Sequence, residues 1–235
     1  MPFIISIWYI LYIENISIVI IKLIYFQHEI LIVKKMLSSC YNPEFNYEIG
    51  VDEAGRGPMF GRLYVAGAVL PKDDSFHHDW MKDSKKFSSE KKIKTVSDYI
   101  KENAISYSIQ YIEHDIIDKI NIRQSVHRGM HESIREIFTK SNIKRDNTFL
   151  LIDGNDFKPY TFYDEDREEI CALPHETIEG GDNKYTAIAA ASILAKVARD
   201  EYIYTLCEEY PQLVERYGLG KNKGYGTKQH LDGIR

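Results

Sequence analysis

Four acidic residues carry the chemistry this sequence could do. Asp52 and Glu53 stand side by side at the end of the apolar stretch Tyr47-Glu-Ile-Gly-Val51, and Gly55, Arg56 and Gly57 follow at once. Asp153 closes the uninterrupted apolar run Phe149-Leu-Leu-Ile152 and precedes Gly154. Asp182 comes directly after Gly180 and Gly181, beyond the strand-like segment His175–Glu179. Each acid therefore sits where an apolar segment gives way to a glycine turn. Carboxylates gathered at one sheet edge repel one another unless a cation neutralises them. An all-oxygen set suits Mg²⁺ or Mn²⁺, and without a His/Cys cluster it does not suit Zn²⁺. Two such ions can activate a water and stabilise the leaving oxygen in phosphodiester hydrolysis.

Plainer readings compete. An Asp-Glu pair before a glycine turn is also an ordinary polar hairpin, and Asp182 can cap the long helix after it. Neighbouring side chains on a regular strand point to opposite faces. Asp52 and Glu53 are therefore expected to converge only if the strand is already turning at Glu53. The metal reading also requires Asp52, Asp153 and Asp182 to meet. Asp200 and Glu201, next to Arg199, read as a surface charge cluster in mid-helix.

The elements that must position these residues follow from periodicity. Asn46–Asp52, Arg62–Leu70 and Ile105–Glu113 are rich in β-branched and aromatic residues and read as strands, the first two as antiparallel neighbours across the glycine turn. Pro71–Phe87 is expected to be a loop. Ser88–Asn103 and Asn121–Lys140 carry apolar residues at helical spacing. Thr148–Asp153 has the continuous apolar character of a central strand covered on both faces, and Asp164–Glu169 that of a solvated acidic loop. Tyr185–Tyr210 is the longest helical pattern and Pro211 ends it. Its first half, Ala187–Ala195, is small and apolar nearly all round, which marks a buried helix. Lys221–Lys228 is a basic loop broken by glycines. Strands followed by alternating helices and strands give a mixed-sheet α/β domain.

Composition sets the limits. The 235 residues have a net charge of −5, so a nucleic-acid partner needs local basic patches rather than a globally attractive field. Three cysteines without metal-ligand spacing point to a reducing, cytoplasmic compartment. Residues 1–35 differ from the rest: twelve are isoleucine and none is glycine. Their longest uncharged run, Met1–Ile13, falls short of the ~20 apolar residues of a membrane span. Translation is expected to start at Met36, a membrane anchor being the alternative. The division predicted is an atypical extension over 1–45 and one catalytic domain over 46–235.

The segments Ile49–Pro58, Asp83-Ser-Lys-Lys86, Leu151–Gly154, Gly181-Asp182 with Ile188–Asp200, and Lys223-Gly-Tyr-Gly-Thr227 resemble the ribonuclease HII (type 2 ribonuclease H) family, in that family's order. The resemblance implies a ribonuclease H-like mixed β-sheet flanked by helices. It also implies a metal-dependent endonuclease acting on RNA–DNA hybrids and on duplex DNA with embedded ribonucleotides, cutting on the 5′ side to leave 3′-hydroxyl and 5′-phosphate ends. It puts Mg²⁺ or Mn²⁺ at Asp52, Glu53, Asp153 and Asp182 and the ribose 2′-OH at Gly55, Arg56 and Gly57. Tyr225 becomes the junction sensor, and Ser84, Lys85 and Lys86 lie near the phosphate backbone, with Thr227 and Lys196 also matching. A monomer is expected. Three positions depart from the pattern: Asn222 replaces a usual histidine, Arg62 stands where a proline or small residue is common, and the sequence ends at Arg235 where relatives continue. The last departure motivates an alternative, a hybrid-binding module that turns over poorly.

Overall fold

The computed structural model describes residues 36–235, and the expectations for residues 1–35 lie outside them. A five-stranded sheet forms the centre: β1 (Tyr47–Ala54), β2 (Leu63–Val69), β3 (Ser106–Ile112), β4 (Thr148–Asp153) and β7 (His175–Ile178), in the spatial order β3-β2-β1-β4-β7. β1, β2 and β3 pair antiparallel, while β4 runs parallel to both β1 and β7. β5 (Thr161–Asp164) and β6 (Glu169–Ala172) form a separate hairpin, which turns the predicted acidic loop into the tip of two short strands.

Helices cover both faces. α1 (Glu90–Asn103) begins at Ser89, whose side chain accepts from the Lys92 N–H. α2 (His114–Ile120) is short, and α3 (Ile122–Lys140) is capped by Asn121. α4 (Thr186–Glu209) is followed by α5 (Gln212–Tyr217), α6 (Leu219–Asn222) and α7 (Lys228–Ile234). The predicted loop at 71–87 holds two 3-10 turns, His78–Trp80 and Ser84–Lys86.

Strand alternation sorts the core into two layers. Ile49, Val51, Val65 and Val69 pack with Val126, Met130, Ile134 and Ile137 of α3. Ala66 and Ala68 pack with α1 and with Ala190, Ile193 and Leu194 of α4. The alanines let α4 lie close to the sheet. At Gly50 any Cβ would overlap the backbone of Ala187 and Ile188, so only glycine admits the helix there. Leu150, Leu151 and Ile152 are fully buried, as a central strand requires.

The compact unit spans Leu37–Arg235. Buried Glu48 holds the preceding segment, accepting from the Tyr41 and Asn42 N–H groups (3.0 and 2.8 Å) and from Lys72 Nζ (2.8 Å). Ser38 bridges to Tyr185, and the Tyr41 ring stacks on Phe149. Among the described residues no helix is long and apolar enough to cross a membrane.

Candidate active site

A cavity of about 460 Å³ opens at the C-terminal ends of β1 and β4, the usual place for ligands in open α/β sheets. Its lining includes Asp52, Glu53, Asp153 and Asp182 together with Gly55, Arg56, Gly57, Ser84, Lys85 and Tyr225. The four predicted acids thus share one site. The way Asp52 and Glu53 reach it differs from expectation. β1 does not turn at Glu53; both acids remain in the ladder with β2, opposite Ala66 and Val65. What ends is the parallel ladder to β4, at Val51–Ile152. Past that point the strand end borders the cavity, and both acids line it.

Each carboxylate is fixed by its neighbours. Asp52, on the α4 side, accepts from the Glu53 N–H (2.7 Å), and the nearby Ser192 hydroxyl, hydrogen-bonded to Ser84 (3.1 Å), favours its charged form. Asp153 accepts from the Gly181 N–H at 2.7 Å, which joins the end of β4 to the turn after β7. Asp182 lies inside a 3-10 turn, Gly181–Asn183, and takes a hydrogen bond from Asn183 Nδ2. The expected capping role is absent: Tyr185 occupies the N-cap of α4 and no side chain caps it.

Crowded acids resist ionisation. Burial, then the charges of Asp153 and Glu53, push the Asp52 carboxyl well above the usual carboxylate range. Burial also raises Glu53, with Asp153 adding to the rise and Arg56 opposing it. Asp153 is raised by burial against the pull of backbone N–H groups and Lys85, and Asp182 by burial and the charges of Asp153 and Asp83. The donor set is all oxygen, with no histidine or cysteine in the lining, and so fits a hard divalent cation. Among the described residues no three potential ligands are drawn tightly enough to make a ready-formed metal cluster. The acids meet around a cavity, not at a point.

The glycine loop is bare for a reason visible in space. Gly55 has φ +108°, and a Cβ there would lie 2.6 Å from Arg199 Nε. At Gly57 a Cβ would press on the Tyr225 ring edge at 3.2 Å. Tyr225 is half exposed, on a loop that Asn222 pins by accepting from the Gly224 N–H and donating to the Tyr217 carbonyl. Asn222 is therefore a loop anchor. Arg62 is accommodated by a two-point hydrogen bond to Glu113 (2.6 and 3.0 Å) and by stacking over Tyr111 and Tyr202.

Two predicted contacts stand apart from the cavity lining. Lys86 turns to Asn183 and Asp83. Thr227 caps α7, its hydroxyl accepting from the His230 N–H. Conversely, Ser192, Arg199, Asp200 and Lys223 line the cavity without having been singled out, and Lys196 joins them. Arg199 is 3% exposed and Asp200 pairs with Lys196 at 2.7 Å, so this part of the expected surface charge cluster is a wall of the site, while Glu201 stays at the surface, paired with Lys94 (2.6 Å). The signal was present: positions 192, 196, 199 and 200 share one helix face at i, i+4, i+7 and i+8.

The ribonuclease HII family profile matches residues 49–235. The chain belongs to the ribonuclease HII family. A ribonuclease HII from Endomicrobium trichonymphae is 37% identical over 195 residues, covering 83% of this chain and 82% of that relative. The ribonuclease H2 crystal structure from Pyrococcus horikoshii OT3 superposes with a TM-score of 0.59 at 23% identity, covering 79% of this chain and 83% of that one. Bst-RNase HIII in complex with Mn²⁺ superposes at 0.56 with 15% identity, covering 85% of this chain and 70% of that one. These likenesses bear out the ribonuclease H-like fold. As a ribonuclease HII family member the protein is a ribonuclease H enzyme, which implies endonucleolytic hydrolysis of RNA in RNA–DNA hybrids.

Proposed function

We propose that the enzyme cuts on the 5′ side of ribonucleotides, in hybrids and singly embedded in duplex DNA, leaving 3′-hydroxyl and 5′-phosphate ends. Asp52, Glu53, Asp153 and Asp182 would hold Mg²⁺ or Mn²⁺. The observation that carries this reading is four carboxyls of raised pKa around one cavity beside a bare glycine loop. The Mn²⁺ of the Bst-RNase HIII complex supports the choice of ion. When bound, such ions neutralise the acids, activate water and stabilise the leaving oxygen.

The chain's own residues do the rest. The Glu53 N–H orients Asp52, and the Gly181 N–H orients Asp153. Only residues without side chains let backbone groups approach a 2′-OH, which is what separates RNA from DNA; Gly55 and Gly57 provide that approach. Tyr225 offers a ring face against a sugar or base next to Gly57. Lys85 lines the cavity and its charge is felt by Asp153 and Asp182, which suits it to meet a phosphate. The enzyme acts as a monomer in the cytoplasm.

The competing reading is a family member that holds hybrids but turns over poorly. One assay separates the two. A DNA duplex with one embedded ribonucleotide is offered with Mg²⁺ or Mn²⁺ to wild type and to Asp153→Asn. Cleavage by wild type, reduced about 10²–10³-fold in the variant, supports the enzyme reading, that range being typical for losing one group that stabilises transition-state charge. Binding by wild type without cleavage supports the module.

A further inference from the structure

Arg199 is an expensive residue to bury without a purpose. It projects from α4 with 3% of its surface exposed, and among the described residues no carboxylate pairs with it. Its neighbour Asp200 is engaged by Lys196. A buried cation without an ion-pair partner is costly, and an apolar residue of similar size usually packs as well or better.

Its contacts show what the cation does instead. Nη2 donates to the Phe60 carbonyl at 3.2 Å and to the Lys223 carbonyl at 3.0 Å. The first belongs to the segment after the glycine loop, the second to the loop carrying Tyr225. Nε lies against Gly55 and has no hydrogen-bond partner. The two loops also touch directly: the Met59 N–H donates to the Gly224 carbonyl at 2.8 Å, and Gly224, at φ +87°, packs against Phe60. One guanidinium head thus ties together the two segments proposed to sense ribose and junction shape.

We propose that Arg199 is a positioning residue that locks residues 55–61 and 222–227 into a single substrate-reading unit. The role rests on the proposed reading of those loops, but the locking itself can be tested apart from it. In the free protein, amide hydrogen exchange should quicken about tenfold or more in both loops together when Arg199→Met is introduced, while β4 stays protected. On the duplex with one embedded ribonucleotide, kcat/KM should fall about 10–100-fold, through KM more than kcat, the scale of a misplaced positioning group. Arg199→Lys should restore part of the loss, since an ammonium keeps donors for both carbonyls, and it serves alone should Arg199→Met not fold. Faster exchange in only one loop, or equally throughout the sheet, would overturn the proposal. So would loosened loops with unchanged kcat/KM. Should wild type fail to cut this duplex, the functional reading falls, and exchange in the two loops still decides whether Arg199 joins them.

Discussion

Individual carboxylates are expected to set the protein's response to pH and to metal. Asp52 is easier to protonate in the folded chain than in the unfolded one, because it is buried beside Asp153 and Glu53. For a raised acid pKa the native state holds more protons, so stability is gained as pH falls and lost as pH rises through the folded value. Other carboxylates pull the opposite way, among them Asp156, held at about 2 by Arg123. A comparison with Asp52→Asn isolates the site. Without divalent ions, the variant's melting temperature should exceed that of wild type at pH 7.5, with the gap closing towards pH 4; a gap independent of pH would contradict the crowding. Added Mg²⁺ or Mn²⁺ at pH 7.5 should raise the wild-type melting temperature by mass action, and that of Asp52→Asn less. Equal shifts would remove Asp52 from the ion's ligands. Asp52 and Asp153 were legible from sequence because each ends an apolar run. The capping role read for Asp182 failed because Gly180, at φ +60°, leads into a separate 3-10 turn.

At the scale of elements, the close approach of α4 to β1 does most to build the site. It brings Ser192, Lys196 and Arg199 to the cavity wall. Gly50→Ala forces the two elements apart, since its methyl would overlap the Ala187 backbone. A loss of about 1–3 kcal/mol in urea unfolding is expected from such overpacking, together with reduced cleavage. Ser89→Ala offers the contrast: losing the cap of α1 should cost about 1 kcal/mol and leave kcat unchanged. If Gly50→Ala cleaved normally, the α4–β1 spacing would not govern the site. The helices and central strand were readable from periodicity over long segments. The β5–β6 hairpin was not, because four-residue strands around a charged tip carry too little pattern to register.

Over the whole molecule, charge distribution decides how a polyanion is met. A net charge of −5 repels nucleic acid at a distance, so attraction depends on the exposed cations at the cavity, Arg56 and Lys85. Binding of an RNA–DNA hybrid should weaken steeply with salt through release of counterions from the phosphates. Lys85→Gln should lower the salt slope by about one phosphate contact and weaken binding across sequences alike. An unchanged slope would place Lys85 away from the backbone.

Taken alone, the sequence determined the family, the order of the main strands and helices, and which four acids line the cavity, because glycine turns, apolar runs and charged motifs are local. The tertiary structure decided how those acids meet: by the parallel ladder ending at Val51–Ile152, not by a turn at Glu53. It also moved Lys86 and Thr227 out of the cavity lining and brought Arg199 and Asp200 into it. A local pattern shows which residues share a helix face, but what that face meets depends on distant segments, such as Phe60 for Arg199, 139 residues away.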